Sequence, residues 1–163
     1  MERYVSELLT FLSVEVAVLL TAATPIIELR GAIPVGISLG LSPLHSLFLS
    51  LLGSMIPVPI ILLSIVPVFN HLKRVGFLRT FIEKITERSL RGNGEKIEKY
   101  GAWALVLIVA IPLPGTGVWS GSLIAALLNM RFRWAFPAIF AGNVIAGVLV
   151  AGLSYGAFSF FRP

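Results

Sequence analysis

Two oppositely charged side chains, Glu28 and Arg30, stand in the run Thr24-Pro25-Ile26-Ile27-Glu28-Leu29-Arg30-Gly31-Ala32-Ile33-Pro34, with long apolar sequence on both sides. Charges at bilayer depth are expensive and face a protein interior or a watery cavity, so this pair marks a candidate site. Arginine offers a planar fork of donors suited to phosphate or carboxylate, and a broken helix adds backbone N–H groups that attract anions. Arg30 is therefore the candidate anion binder, with Gly31 and Pro34 beside it in the substrate-binding stretch. Residues two apart on a helix point in different directions, so Glu28 and Arg30 do not satisfy only each other. Glu28 is left to pair with a substrate cation or to carry a proton, and Glu15, in the middle of the preceding apolar run, competes for the proton role.

A second stretch, Pro112-Leu113-Pro114-Gly115-Thr116-Gly117-Val118-Trp119-Ser120-Gly121-Ser122, has no charge but many small and hydroxylic residues. No stretch of this composition continues a regular helix. Its exposed amides and hydroxyls make Pro112, Pro114, Gly115, Thr116, Gly117 and Ser120 the second part of the substrate-binding set. Ser122, Asn129 and Asn143 are candidate polar lining, although interhelical hydrogen bonds would use the same groups. No cysteine is present and only His45 and His71 are available, which excludes disulfides and thiolate metal sites and argues against a histidine metal site. No nucleophile elbow, phosphate-binding loop or zinc-protease motif occurs, so neither an enzyme nor a cofactor is expected.

The elements that must carry these residues follow from composition. The chain has 163 residues, 56% hydrophobic and 13% charged, where a soluble domain has about 25% charged, and its mean hydropathy is +0.92. This is the composition of an all-α integral membrane protein, with residues 1–163 as one membrane domain. The formal charge of +5 is concentrated between apolar stretches, which points to anionic lipid headgroups as partners and not to nucleic acid. Met1-Glu2-Arg3 is charge-balanced and the following run carries Glu7 and Glu15, so no cleavable signal is expected.

Residues 1–41 read as a helix and a first re-entrant hairpin, with its tip at Pro25 to Pro34 and a return over Val35 to Leu41. Residues 42–70 read as a transmembrane helix bent by Pro57, Pro59 and Pro67, with a small-residue face at Gly53-Ser54. Residues 71–99 hold a dense run of Lys, Arg and Glu, and Leu78, Phe81, Ile82 and Ile85 line one helical face, which reads as a basic amphipathic segment on the cytoplasmic surface. Residues 100–130 are too few for two crossings of ~20 residues each plus a turn, so they read as a second re-entrant hairpin. Arg131-Phe132-Arg133-Trp134 is an interface anchor, and residues 133–161 form the second transmembrane helix. Shifted by 89 positions, Pro25 falls on Pro114 and Gly53-Ser54 on Gly142-Asn143. Two inverted repeats with broken helices near the midplane are the recurrent build of secondary transporters.

At Glu28-Leu29-Arg30-Gly31-Ala32-Ile33-Pro34, and again from Pro112 to Gly121, the chain resembles the small multidrug export protein family of prokaryotes over nearly its whole length. More distantly it is similar to the DedA or VTT superfamily. That resemblance implies two facing re-entrant hairpins, movement of lipids such as undecaprenyl phosphate, and a match of Glu28 and Arg30 to the acidic hairpin motif. Around the second turn, where DedA proteins carry arginines, this chain has Ala110 and Thr116.

The resulting expectation is a multi-pass protein of the cell membrane, a small secondary transporter or flippase. Its substrate would be an amphipathic, anionic, lipid-like molecule such as a polyprenyl phosphate, held between the hairpins and driven by protons through Glu28 or Glu15. The alternatives are export of lipophilic cationic drugs and a non-transporting role as a membrane organiser. Two hairpins and two spans are a thin wall around a polar site, so a two-fold homodimer is expected.

Overall fold

The computed structural model describes residues 2–72, 83, 84, 87, 100–111 and 116–161, and these are helix and turn without strands. The helices are α1 (Glu2–Ala23), α2 (Glu28–Ser38), α3 (Pro43–Met55), α4 (Pro57–Leu72), α5 (Ala102–Ala110), α6 (Val118–Leu127) and α7 (Phe132–Phe161). Almost all of the basic amphipathic segment expected over 71–99 lies outside the described residues.

Two helical stretches are long and apolar enough to cross a bilayer, Pro43–Ile65 with 23 residues and Phe132–Ala157 with 26, and only a third of each is buried. A core helix of a soluble protein would be mostly covered. Apolar length left uncovered on this scale belongs in hydrocarbon, and the protein is a helical membrane protein. The first stretch is α3 and α4 joined through Ile56. Ile56 keeps right-handed helical dihedrals and its N–H donates to the Gly53 carbonyl at 3.2 Å. Pro57 then opens α4 at a position where no N–H is required. Pro67, in contrast, lies inside α4.

The chain packs as two compact units, residues 1–56 with 144–163, and residues 57–143. In the first unit α1, α2 and α3 come together through small residues. A Cβ on Gly53 of α3 would press into the Leu19 carbonyl oxygen of α1 and stand 3.0 Å from Ala22 Cβ. Only glycine lets the two helices meet at backbone distance. Ser46 of α3 donates its buried hydroxyl to the Ile33 carbonyl of α2 at 2.8 Å. Val18, Ala22, Ala32 and Leu41 form one apolar cluster. Leu29 and Ile33 form another with Ala146 from the C-terminal part of α7.

In the second unit α6 runs along α4 and touches α5. Gly142 of α7 takes the place that Gly53 has in the first unit: a Cβ there would stand 2.6 Å from the Val106 carbonyl oxygen and 2.8 Å from Val109 Cβ of α5. The two glycines are 89 residues apart, and each meets a carbonyl and a side chain three residues further along the helix that leads into a turn.

The same spacing recurs at the ends of α2 and α6. Leu39, Gly40 and Leu41 donate to Val35, Ile37 and Gly36 at 3.0, 3.1 and 3.0 Å. Leu128, Asn129 and Met130 donate to Ile124, Ala126 and Ala125 at 3.0, 3.0 and 2.9 Å. Both helices close with a left-handed residue, Gly40 at φ 96° and Asn129 at φ 53°, the two residue types that tolerate this C-terminal motif best.

Candidate functional site

The first turn is shorter than the sequence suggests. Thr24 caps the end of α1, its N–H and its hydroxyl both donating to the Thr21 carbonyl, at 3.2 and 2.7 Å. The Glu28 N–H donates to Thr24 at 3.2 Å and the Gly31 N–H to Ile27 at 3.1 Å. The turn is therefore Thr24–Ile27, and Glu28, Arg30 and Gly31 already belong to the first turn of α2. Pro34, expected at the rim of the break, lies inside α2. Burial of Leu29 and Ile33 holds α2 helical around it, although proline has no N–H to give the helix.

Glu28 is the unusual residue of this turn. It is only 7% exposed, and its backbone is left-handed at φ 50°. An L-residue with a side chain of this size held there costs about 1–2 kcal/mol relative to the right-handed form. As the first residue of α2 its carboxylate stands at the positive end of the helix dipole, a favourable place for an anion. Arg30, two residues on, is half-buried. The turn that carries them is apolar at its apex, with Ile26 92% exposed.

Glu15 is not part of this turn. It lies on α1 eight residues before the helix ends, roughly 12 Å of axis at 1.5 Å per residue. Its Oε1 sits 2.8 Å from His45 Nε2 at the start of α3. The two proton candidates named from sequence thus occupy opposite ends of the first hairpin.

At the second turn Pro112, Pro114 and Gly115 lie outside the described residues. Thr116 closes it by donating its hydroxyl to the Ile111 carbonyl at 2.7 Å. Gly117, at φ 136°, opens α6, and no side chain caps that helix. The irregular run expected to reach Ser122 therefore stops at Gly117. The reason is local: Gly117 takes a φ of 136° that suits glycine, and Val118 to Leu127 then bury enough apolar surface to stay helical.

Ser120, half-buried, donates to the Gly117 carbonyl at 3.3 Å. Ser122 Oγ is buried with no hydrogen-bond partner among the described residues. Asn143 is buried in α7. Asn129 is exposed and left-handed, a turn former at the end of α6. No motif signals the Glu15–His45 contact, which joins residues 30 positions apart on two helices.

A family model described as "Putative small multi-drug export protein" matches residues 28–149, beginning at Glu28 and covering roughly three quarters of the chain. No curated protein and no solved structure matches.

Proposed function

The chain belongs to the small multi-drug export protein family, and from that premise we propose that it is a small secondary transporter of the cell membrane with its substrate site at the Glu28–Arg30 turn. The observation that carries the reading is Glu28 itself, a buried carboxylate held in a strained backbone at the start of α2, beside an apolar turn. Burying a carboxylate and holding a left-handed backbone both cost free energy, and such costs cluster at sites where a ligand makes use of them.

Arg30 is the more accessible of the pair and presents the planar fork that recognises phosphate or carboxylate. The substrate it fits is amphipathic with an anionic head, as in a polyprenyl phosphate, and the likeness of the motif to DedA proteins points the same way. Glu28 is then the proton carrier. A second reading, export of lipophilic cations, is favoured by the buried carboxylate and by the family's description; in it Glu28 binds the cation and Arg30 is its resting partner. No catalytic step or cofactor is part of either.

The apolar apex around Ile26 supports a re-entrant hairpin, since a turn facing water would carry Gly, Asn or Asp. The recurrence at 89 residues supports two repeats, inverted because each, a re-entrant hairpin and one span, crosses the bilayer an odd number of times. A homodimer is part of the proposal, because two hairpins and two spans are a thin wall around a polar site.

The test is binding of dodecyl phosphate and of tetraphenylphosphonium to the purified protein, with Arg30→Ala and Glu28→Gln alongside. A hydrogen bond to a charged group contributes about 1.5–3 kcal/mol, so Arg30→Ala should weaken the phosphate by roughly 10- to 150-fold. Binding of phosphate unchanged in a properly inserted Arg30→Ala protein refutes the anionic reading. Cation binding that is lost in Glu28→Gln and spared in Arg30→Ala establishes the second.

A further inference from the structure

After Glu98 the chain has no acidic residue, and two of the cations that follow, Arg131 and Arg133, stand at the start of α7. Arg131, Phe132, Arg133 and Trp134 are all exposed, while Ala135 is fully buried. Consecutive residues point in different directions around a helix axis, so four exposed in a row mean that the start of α7 projects beyond the helices packed against it. The projection is held in place by its own rings. Phe132 stacks on the half-buried Phe136 with centroids 5.3 Å apart, and the Arg133 Cζ lies over the Trp134 ring at 5.8 Å from its centroid.

This end of the second unit is also where α5 begins. A Cβ on Gly121 of α6 would stand 2.6 Å from Val109 Cγ2, near the end of α5, and 4.0 Å from Ile139 Cγ1 of α7. Since α6 returns from the second turn, the start of α5 is level with the end of α6 and the start of α7, and Tyr100 and Trp103 are exposed there. Exposed Tyr and Trp around one end of a spanning helix mark the layer of the lipid headgroups. Arg131 and Arg133 differ by about 3 Å along the axis, so both belong to that layer. Neither makes an ion pair among the described residues. Stacking on Trp134 occupies a face of the Arg133 guanidinium and leaves its N–H edge to a bidentate acceptor such as a phosphate.

We infer that the start of α7 is a binding site for one anionic phospholipid, whose phosphate takes the N–H edge of Arg133 while Arg131 adds its charge at the same depth. Phe132 and Trp134 lie against the glycerol and the upper part of the acyl chains, where amphipathic and aromatic rings settle. The charge pattern selects the head. A zwitterionic lipid offers the same phosphate but brings an ammonium group, and no carboxylate after Glu98 is there in sequence to receive it. Two cations without acidic neighbours favour a head of net negative charge. The site uses none of the residues assigned to the substrate and holds whether or not the chain transports anything.

The experiment is native mass spectrometry of the full chain released from micelles that hold equal amounts of phosphatidylglycerol and phosphatidylcholine with the same acyl chains. Wild type is compared with Arg131→Gln, Arg133→Gln, the double variant, Arg133→Lys and Lys84→Gln. Wild type should retain phosphatidylglycerol in preference. Each single Gln variant should lower that preference by roughly 5-fold, and the double variant by roughly 20- to 30-fold. Arg133→Lys keeps the charge but lacks the fork, so it should fall between wild type and Arg133→Gln. Lys84→Gln removes an exposed cation of the basic stretch and should bind as wild type does. Equal retention of the two lipids by wild type, a loss in Lys84→Gln as large as in Arg133→Gln, or full retention in Arg133→Lys would each overturn the site. Release of the lipid by an excess of free glycerol phosphate would overturn it too, in favour of a site for soluble phosphates. If Arg133→Gln is not properly inserted, Arg133→Lys and Arg131→Gln decide alone. Arg30→Ala should leave the preference in place, so loss of substrate binding and loss of the lipid are separate results.

Discussion

Gly142→Ala should destabilise the protein by about 1–2 kcal/mol, although alanine is the better helix former. The added methyl would stand 2.6 Å from the Val106 carbonyl oxygen and 2.8 Å from Val109 Cβ, where ordinary contact begins at 3.4 Å. Neither neighbour is the mobile end of a side chain. The carbonyl belongs to the backbone of α5, and valine is stiff at χ1. The helices must therefore part by roughly 0.8 Å, and a gap of that size forfeits a quarter to a half of the dispersion attraction of each atom pair across the contact.

Overpacking of this kind costs about 1–3 kcal/mol, and the better helix propensity of alanine returns at most about 1 kcal/mol. With about 2–4 °C per kcal/mol for a chain of this length, the midpoint should fall by roughly 2–8 °C. The internal control is Gly152→Ala in the same helix, where a Cβ would meet nothing within 4 Å; there the midpoint should hold or rise. Helical circular dichroism of the purified variants on heating in a single detergent measures both. A Gly142→Ala protein as stable as Gly152→Ala would refute the close approach of α7 and α5.

The left-handed caps make an opposed pair of substitutions. Gly40→Ala should cost about 1–2 kcal/mol because its φ of 96° disfavours any side chain, while Asn129→Gly should be neutral or stabilising; equal losses in the same melting assay would contradict the assigned backbone. Trp103, 79% exposed on α5, should face acyl chains. In a variant with Trp103 as its only tryptophan, bromine-labelled lipid should quench the fluorescence strongly and aqueous iodide weakly, and the reverse order would remove α5 from the membrane. Finally, Glu28→Gly relieves the left-handed strain while deleting the carboxylate. It should hold or raise the melting point yet abolish proton-driven uptake into vesicles; retained uptake would show that Glu28 is not the coupling group.

Solvent and element boundaries were largely legible along the chain because they depend on one-dimensional quantities. A bilayer demands continuous apolar length, so the stretches beginning at Pro43 and Phe132 could be read from hydropathy. The end of α2 could be read from Gly40, because glycine adopts the left-handed angle freely. The motif at Glu28 to Pro34 and the one after Pro112 were also enough to recognise the family that the match over 28–149 shows.

Local rules failed where packing overrode them. Pro34 stays within α2 because Leu29 and Ile33, in the turns before it, are buried, and Trp119 to Ser122 are helical because their helix packs along α4. Asn129 ends α6 in a left-handed backbone, a role that its residue type alone does not announce. The sequence by itself determined that the chain enters a membrane, where its helices break, and that two charged residues sit at one break. Only the tertiary structure decided that Glu28 is buried, that Glu15 meets His45, and that Gly53 and Gly142 each press against a carbonyl. Those contacts depend on how helices cross, and no periodicity within a single helix encodes its partner's register.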